Sequence, residues 1–260
     1  MLHYRKVGKG NPILLIHGFP NDGSIWDALV PEWSENFELI IVDLPGSGLS
    51  PLPNTPLQLK YMAEAIESVL SIENIESIVC VGHSMGGYTA LELAQHYPNR
   101  IAGLSLVHAM ATADNAEKKL LRQKSITLMN KGFQEKEIFL KGMSQNLFGE
   151  SYARTHPQSL SAIVERGLKA PEGGLAAQYE AIMNRSDKTH LLSHASYPIQ
   201  WIIGTEDKAT PMQDTLPQTL IADVNFISIY EGCGHMSFME TPQQLTQDIL
   251  SFAKYCHSSK

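Results

Sequence analysis

Cysteine is scarce in this chain, with three among 260 residues. Cys80, Cys233 and Cys256 share no metal-type spacing and cannot all pair with one another. A disulfide framework is therefore excluded, and a reducing compartment is the simpler expectation. Long apolar runs are missing too. No segment approaches the roughly 20 apolar residues needed to cross a bilayer. The first apolar run, Ile13–Ile16, is too short for the core of a signal peptide. A soluble cytoplasmic protein is expected. Positive charge is in short supply, since 20 Lys and Arg face 27 Asp and Glu for a formal net charge of -7. Neither nucleic acid nor a membrane surface is an expected partner. Internal repeats and low-complexity tracts are absent, and the oligomeric state is open.

What is present is ample apolar content, 43% of the chain, enough to bury a core without staples. It comes in short runs: Ile13–Ile16, Leu39–Val42, Ile78–Val81, Leu104–Val107, Ile199–Ile203 and Phe226–Ile229. Runs this short, rich in Ile and Val, predict strands buried on both faces. Between them lie helical patterns. In Leu59–Leu70 the residues Leu59, Met62, Ala63, Ile66, Val69 and Leu70 fall on one helical face. Met85–Tyr97 is helical until Pro98, and Pro242–Phe252 closes the chain with Thr241 as N-cap. Alternation of this kind predicts an α/β fold, a mostly parallel sheet with helices on both faces. The rhythm breaks between about residues 111 and 196, where helical spacing and scattered Met and Phe replace strands. This segment is expected to be an inserted helical cap over the carboxyl edge of the sheet. The core would then be residues 1–110 and 197–260.

The most informative stretch is Gly82-His-Ser-Met-Gly86, directly after a strand and directly before a helix. Gly-x-Ser-x-Gly in that context puts Ser84 on a sharp turn, with its hydroxyl lifted out of the sheet at a helix N-terminus. Glycines on either side let strand and helix approach closely. A serine hydroxyl is a poor nucleophile until a base removes its proton. Of ten histidines, His235 is best placed. It follows the last apolar run on a glycine-flanked loop. His83 abuts Ser84 on the tight turn and is read as structural, and His17 and His108 remain without a role. His190 and His194 are four apart without a third ligand, so no metal is expected. An imidazole also needs an acid to fix its tautomer. Asp207, just past the Ile199–Ile203 run, is the candidate, with Glu206 and Asp114 as rivals.

Two backbone donors for a developing oxyanion are expected at Phe19, in His17-Gly-Phe-Pro20, and at Met85. The pocket residues expected are Phe19, Met143, Phe148, Met236 and Phe238.

These stretches, with Asp43-Leu-Pro-Gly-Ser-Gly-Leu-Ser50, together resemble the α/β-hydrolase superfamily. The resemblance spans nearly the whole chain outside the cap, and the order Ser84, Asp207, His235 is the one this architecture uses. It implies a triad, a cap between the sixth and seventh core strands, and a structural turn at Asp43–Ser50. A serine at the nucleophile position argues against the aspartate-nucleophile branches, haloalkane dehalogenases and epoxide hydrolases. The expected protein is a small capped carboxylesterase, cleaving a small, mainly apolar ester through an acyl-enzyme without a cofactor. Two alternatives stay open. One is a carbon–carbon bond hydrolase or menaquinone-pathway-type lyase on the same triad, which would need Arg or Lys at the pocket. The other is a slow-turnover ligand receptor.

Overall fold

A computed structural model describes residues 1–258. Its frame is a seven-stranded sheet of β1 (Tyr4–Gly8), β2 (Asn11–Ile16), β3 (Phe37–Val42), β4 (Ile78–His83), β5 (Ile101–Val107), β6 (Ile199–Gly204) and β7 (Asn225–Tyr230). The spatial order is β1-β3-β2-β4-β5-β6-β7. β1 runs antiparallel to β3, and every other pairing is parallel. The chain first moves from β2 to β3, then returns to add β4 on the other side of β2. That reversal opens a crevice at the carboxyl ends of β2 and β4, the place where open α/β sheets bind ligands.

The apolar runs form strands because alternate residues feed two separate cores. Leu14, Ile40 and Cys80 pack with Met62, Ile66 and Leu91 of the helices Leu59–Ile72 and Met85–His96. Ile13, Leu39 and Val79 pack on the opposite face with Trp26, Trp33 and Ile249, the last from the helix Pro242–Ser258. All six residues expected on the inner face of Leu59–Ile72 are buried.

Three expectations need correction. β1 lacks an apolar run because its residues are half-buried or exposed, so hydrophobic runs do not reveal it. With one strand ahead of β2, the helical insertion falls between the fifth and sixth strands here. β7 is not buried on both faces. It is an edge strand, with Ile227 and Ile229 44% and 45% exposed. Finally, Thr241 does hold the N-cap position, its carbonyl accepting from the Leu245 N–H at 3.0 Å, but its hydroxyl donates back to the Ser237 carbonyl at 3.4 Å.

Between β5 and β6 lie the helices Ala116–Met129, Phe133–Ser144, Glu150–Thr155, Pro157–Leu168, Gly174–Met183 and Thr189–Leu192. They reach the crevice through ring contacts: Phe19, just past β2, lies 4.8 Å from Tyr179 and 6.2 Å from Phe139, centroid to centroid. Gln178 ties the same layer to the core by donating to the Pro45 carbonyl and the Ser47 hydroxyl, at 2.9 and 2.6 Å. The Asp43–Ser50 turn is organised by Asp43, whose carboxylate accepts from the Gly23 and Leu49 N–H groups at 2.8 and 3.0 Å. Among the described residues, no helix is long and apolar enough to cross a membrane. All three cysteines are buried and free.

Candidate active site

β4 ends at His83 and the next helix begins at Met85, so Ser84 alone turns the chain. It does so with φ 51° and ψ -116°, a conformation that non-glycine residues rarely adopt. Neighbouring backbone holds it there. The Ser84 N–H donates to the Val107 carbonyl at 2.9 Å, and its own carbonyl accepts from the N–H groups of Gly87 and Tyr88 at 2.8 and 3.1 Å. The flanking glycines are required by space. A Cβ on Gly82 would lie 2.6 Å from the Gly86 carbonyl carbon, and one on Gly86 would lie 2.2 Å from the Ile16 oxygen. Ser84 is half-buried. Met85, the first residue of the helix, has an N–H with no acceptor inside the helix.

His235 arrives on the loop after β7, and several bonds aim its ring. Its N–H donates to the Leu147 carbonyl at 2.7 Å. Its carbonyl accepts from His83 Nε2 at 2.9 Å. Glu240 clamps the loop, its carboxylate accepting from the N–H groups of Gly149, Gly234 and Met236 at 2.8, 3.0 and 3.0 Å. His235 Nδ1 then lies 2.8 Å from Asp207 Oδ2. A carboxylate only accepts, so Nδ1 carries the proton and Nε2 is left with a free lone pair.

Asp207 sits in the turn after β6 and is buried. Its Oδ1 accepts from the Ala209 and Thr210 N–H groups at 2.8 and 2.9 Å, and its Oδ2 also accepts from the Thr210 hydroxyl at 2.7 Å. Burial alone would raise its pKa. The charge of His235 and hydrogen bonds from His108 and His235 outweigh burial and hold the carboxyl well below the usual carboxylate range. The rival acids are engaged elsewhere. Glu206 accepts from the Glu150 N–H at 2.6 Å. Asp114 pairs with Arg122 and Arg185 at 2.5 and 2.9 Å.

A fourth polar side chain was unassigned in the sequence. His108, one residue past β5, places Nδ1 3.1 Å from the same Asp207 Oδ2. His108 Nδ1, Asp207 Oδ2 and His235 Nδ1 offer metal-ligand atom types within 4.8 Å of one another. Because Oδ2 accepts from both imidazoles, hydrogen bonding accounts for the cluster. The signal was its position: like Ser84, it directly follows a buried strand.

Phe19, Ser84 and His235 line one cavity of about 210 Å³. Met143, Leu147, Ile182 and Leu121 make its apolar wall, Tyr88 and Tyr179 add phenols, and Lys118, Arg122 and Lys208 stand at its edge. Of the anticipated pocket residues, Phe19 and Met143 are present and three are not. Phe148 is buried against Tyr152, with ring centroids 5.5 Å apart. Phe238 packs between Trp26 and His83 at 5.7 and 5.0 Å. Met236 is wholly buried in the same apolar cluster. The turn at His235 sends its sequence neighbours inward while the imidazole faces the cavity. Sequence reasoning missed Tyr179, and it could count Arg122 with Lys124, Arg154 and Arg185 among the cap cations without placing any of them, because helical spacing says which residues share a face but not what that face meets. His190 and His194 face solvent, where His194 Nδ1 donates to the His190 carbonyl at 2.8 Å.

A hydroxyl on a strained turn, an imidazole with a free nitrogen and a buried carboxylate behind it are the parts that acyl transfer uses. Comparison with known proteins gives the family. A family model described as alpha/beta hydrolase fold matches residues 11–242. The pimeloyl-[acyl-carrier protein] methyl ester esterase of Xanthomonas oryzae pv. oryzae is 26% identical, over 96% of this chain and 98% of that protein. A malate-bound structure of a thermophilic esterase from Thermogutta terrifontis superposes with a TM-score of 0.93 at 30% identity, covering 98% of this chain and 94% of that one. The enol-lactonase of Burkholderia xenovorans LB400 shares the fold with a TM-score of 0.87 at 22% identity, covering 96% of this chain and 95% of that one. The chain belongs to the alpha/beta hydrolase fold family.

Proposed function

We propose that this protein hydrolyses carboxylic esters through an acyl-enzyme, with Ser84 as nucleophile, His235 as base and Asp207 as the orienting acid. The observation that carries the reading is the 2.8 Å contact between His235 Nδ1 and Asp207 Oδ2, with the imidazole and Ser84 on one cavity. His235 Nε2 takes the Ser84 proton as the serine oxygen attacks the ester carbonyl. The N–H groups of Phe19 and Met85 hold the oxyanion. The His235 imidazolium then protonates the leaving alcohol. A water, deprotonated by His235, attacks the acyl carbon and returns Ser84 to its hydroxyl form.

The esterase relatives support ester cleavage over the other reactions of this fold. A cavity of about 210 Å³ with an apolar wall suits a small, mainly apolar substrate. We assign residues 111–196 the role of a specificity-setting cap over a core of 1–110 and 197–260. Three buried free thiols fit a reducing compartment, here proposed to be the cytoplasm.

The decisive experiment pairs labelling by a fluorophosphonate with Ser84→Ala kinetics on short p-nitrophenyl esters. Label on Ser84 and a kcat loss on the order of 10⁴ to 10⁶ are expected. A folded Ser84→Ala enzyme with near-normal turnover removes Ser84 from the chemistry.

Arg122 and the two lysines on the cavity keep the carbon–carbon hydrolase or lyase reading in view, since a carboxylate substrate needs such groups. Faster turnover of a β-diketone or cyclohexadiene substrate than of any simple ester is the outcome that favours it.

A further inference from the structure

Asp207 serves two imidazoles through one oxygen. Its Oδ2 lies 2.8 Å from His235 Nδ1 and 3.1 Å from His108 Nδ1. Both rings and the carboxylate are buried. His108 reaches this place by a local distortion. Its N–H keeps the sheet pairing, donating to the Ile202 carbonyl at 3.0 Å, while its backbone turns to φ 50°. That conformation is uncommon for a residue with a Cβ. The far ring nitrogen, Nε2, is buried without a hydrogen-bond partner. A buried imidazole with one empty nitrogen at a strained position is a costly arrangement, which packing alone does not require.

We propose that His108 is a positioning residue for the hydrolytic reaction: as a neutral Nδ1–H donor it holds the Asp207 carboxylate in place and moderates how strongly that carboxylate draws protons to His235. The proposal rests on the triad assignment above. The tautomer follows from the partner, because a carboxylate oxygen offers Nδ1 nothing to accept. Each donor at Oδ2 spreads the carboxylate's charge, so a bond from His108 weakens the pull that His235 feels. Only the unprotonated base accepts the Ser84 proton, so a weaker pull from the carboxylate favours the reactive form.

The surroundings favour a neutral His108. Burial lowers its pKa against the opposing pull of Asp207. His83 faces both rings, at 6.1 Å from His108 and 4.9 Å from His235 between centroids, and burial holds it well below the ordinary histidine value. The other titratable groups facing this cluster are Glu240, Cys233 and Tyr88, with Lys118, Arg122 and Lys208 across the cavity. Burial raises the Cys233 thiol and the Tyr88 phenol, so both stay protonated at neutral pH. Glu240 is committed to three backbone N–H groups.

The test compares His108→Leu with His108→Asn. Leu has nearly the shape of Asn but no donor. Asn can place its amide N–H where Nδ1 was, and it tolerates positive φ. For His108→Leu the acidic limb of the kcat/KM profile should move to higher pH by roughly 0.5–1 unit, with kcat about tenfold lower. His108→Asn should return both most of the way. An unmoved limb in folded His108→Leu enzyme, or a His108→Asn enzyme shifted as far as the Leu variant, overturns the proposal. A measurement on the unmodified enzyme stands if the Leu variant does not fold. Nitrogen NMR of labelled histidines should show His108 neutral and protonated on Nδ1 across the rising limb. Titration of His108 within that limb, or a proton on Nε2, sinks the idea. Ser84→Ala in the same assay separates the two readings. Retained activity there defeats the hydrolytic mechanism itself, whereas an unmoved limb defeats only the role of His108.

Discussion

Gly18 and His83 stand so close that a Cβ on Gly18 would lie 2.4 Å from His83 Nδ1. The same Cβ would lie 2.9 Å from the His83 oxygen and 2.9 Å from the Ser84 Cβ. The loop after β2 is thus pressed against the turn that carries Ser84. In the proposed mechanism, the glycine lets the loop come close enough for the Phe19 N–H to meet the oxyanion. Gly18→Ala should cost about 1–3 kcal/mol of stability through overpacking. It should also lower kcat on the order of 10² by displacing an oxyanion donor. Urea denaturation and ester kinetics test the pair of effects. Stability and kcat both close to those of the parent would show that the loop has room to move.

Glu240 links the His235 loop to the helical insertion through bonds to Gly149, Gly234 and Met236. Glu240→Ala leaves three backbone donors without their charged acceptor. Hydrogen bonds to a charged group contribute roughly 1.5–3 kcal/mol each, so a loss of about 3 kcal/mol or more is expected. The base should also lose its aim. A drop in kcat exceeding any rise in KM is the signature, read by steady-state kinetics alongside a thermal melt. Equal kcat in the two proteins would mean that the Leu147 and His83 contacts are enough to hold the loop.

Arg122 reaches the cavity while pairing with Asp114, which also pairs with Arg185. Two guanidiniums against one carboxylate leave an excess of positive charge beside the apolar wall. Esters with an anionic tail should therefore be accepted, and cationic esters of the same length should be poor. Arg122→Met should raise KM for the anionic ester by about tenfold, equivalent to roughly 1.4 kcal/mol, with little change for a neutral one. A substrate series differing only in tail charge checks this. Equal KM values across the series would place the tail outside the reach of Arg122.

Burial lowers the pKa of His17, His83 and His108 in the folded chain. Unfolding frees each to bind a proton near its ordinary value of about 6.5. The unfolded state therefore takes up more protons as pH falls below that value, and stability drops with it. Each group contributes at most about 1.4 kcal/mol per pH unit. Asp207, held low, keeps its full contribution above the ordinary carboxylate range and loses it progressively as pH falls from about 4 toward its lowered folded value, so it does not act in this window. Urea midpoints should fall steadily from pH 7 to pH 5. A midpoint independent of pH over that range would mean the three imidazoles are protonated in the fold.

Much of the design was legible in the chain itself. Short apolar runs specify strands because alternate residues must face one core or the other, and Leu59–Ile72 shows its inner face by spacing alone. Gly82, Gly86 and Gly18 could be read as close approaches because a missing Cβ is a local property. Ser84, Asp207 and His235 could be nominated because each lies on the turn or loop that follows a strand, and strand ends in a parallel sheet gather at one edge. What meets at that edge depends on rotations and distances that no local pattern encodes. Tertiary packing turned Met236 and Phe238 inward and brought Arg122 and Tyr179 to the cavity. It also set a second imidazole, His108, on the oxygen that holds His235, across 99 residues of chain. Sequence determines which side chains stand at the ends of strands. Only the packed sheet decides which of them share a hydrogen bond, because such a bond demands positions fixed to a few tenths of an ångström.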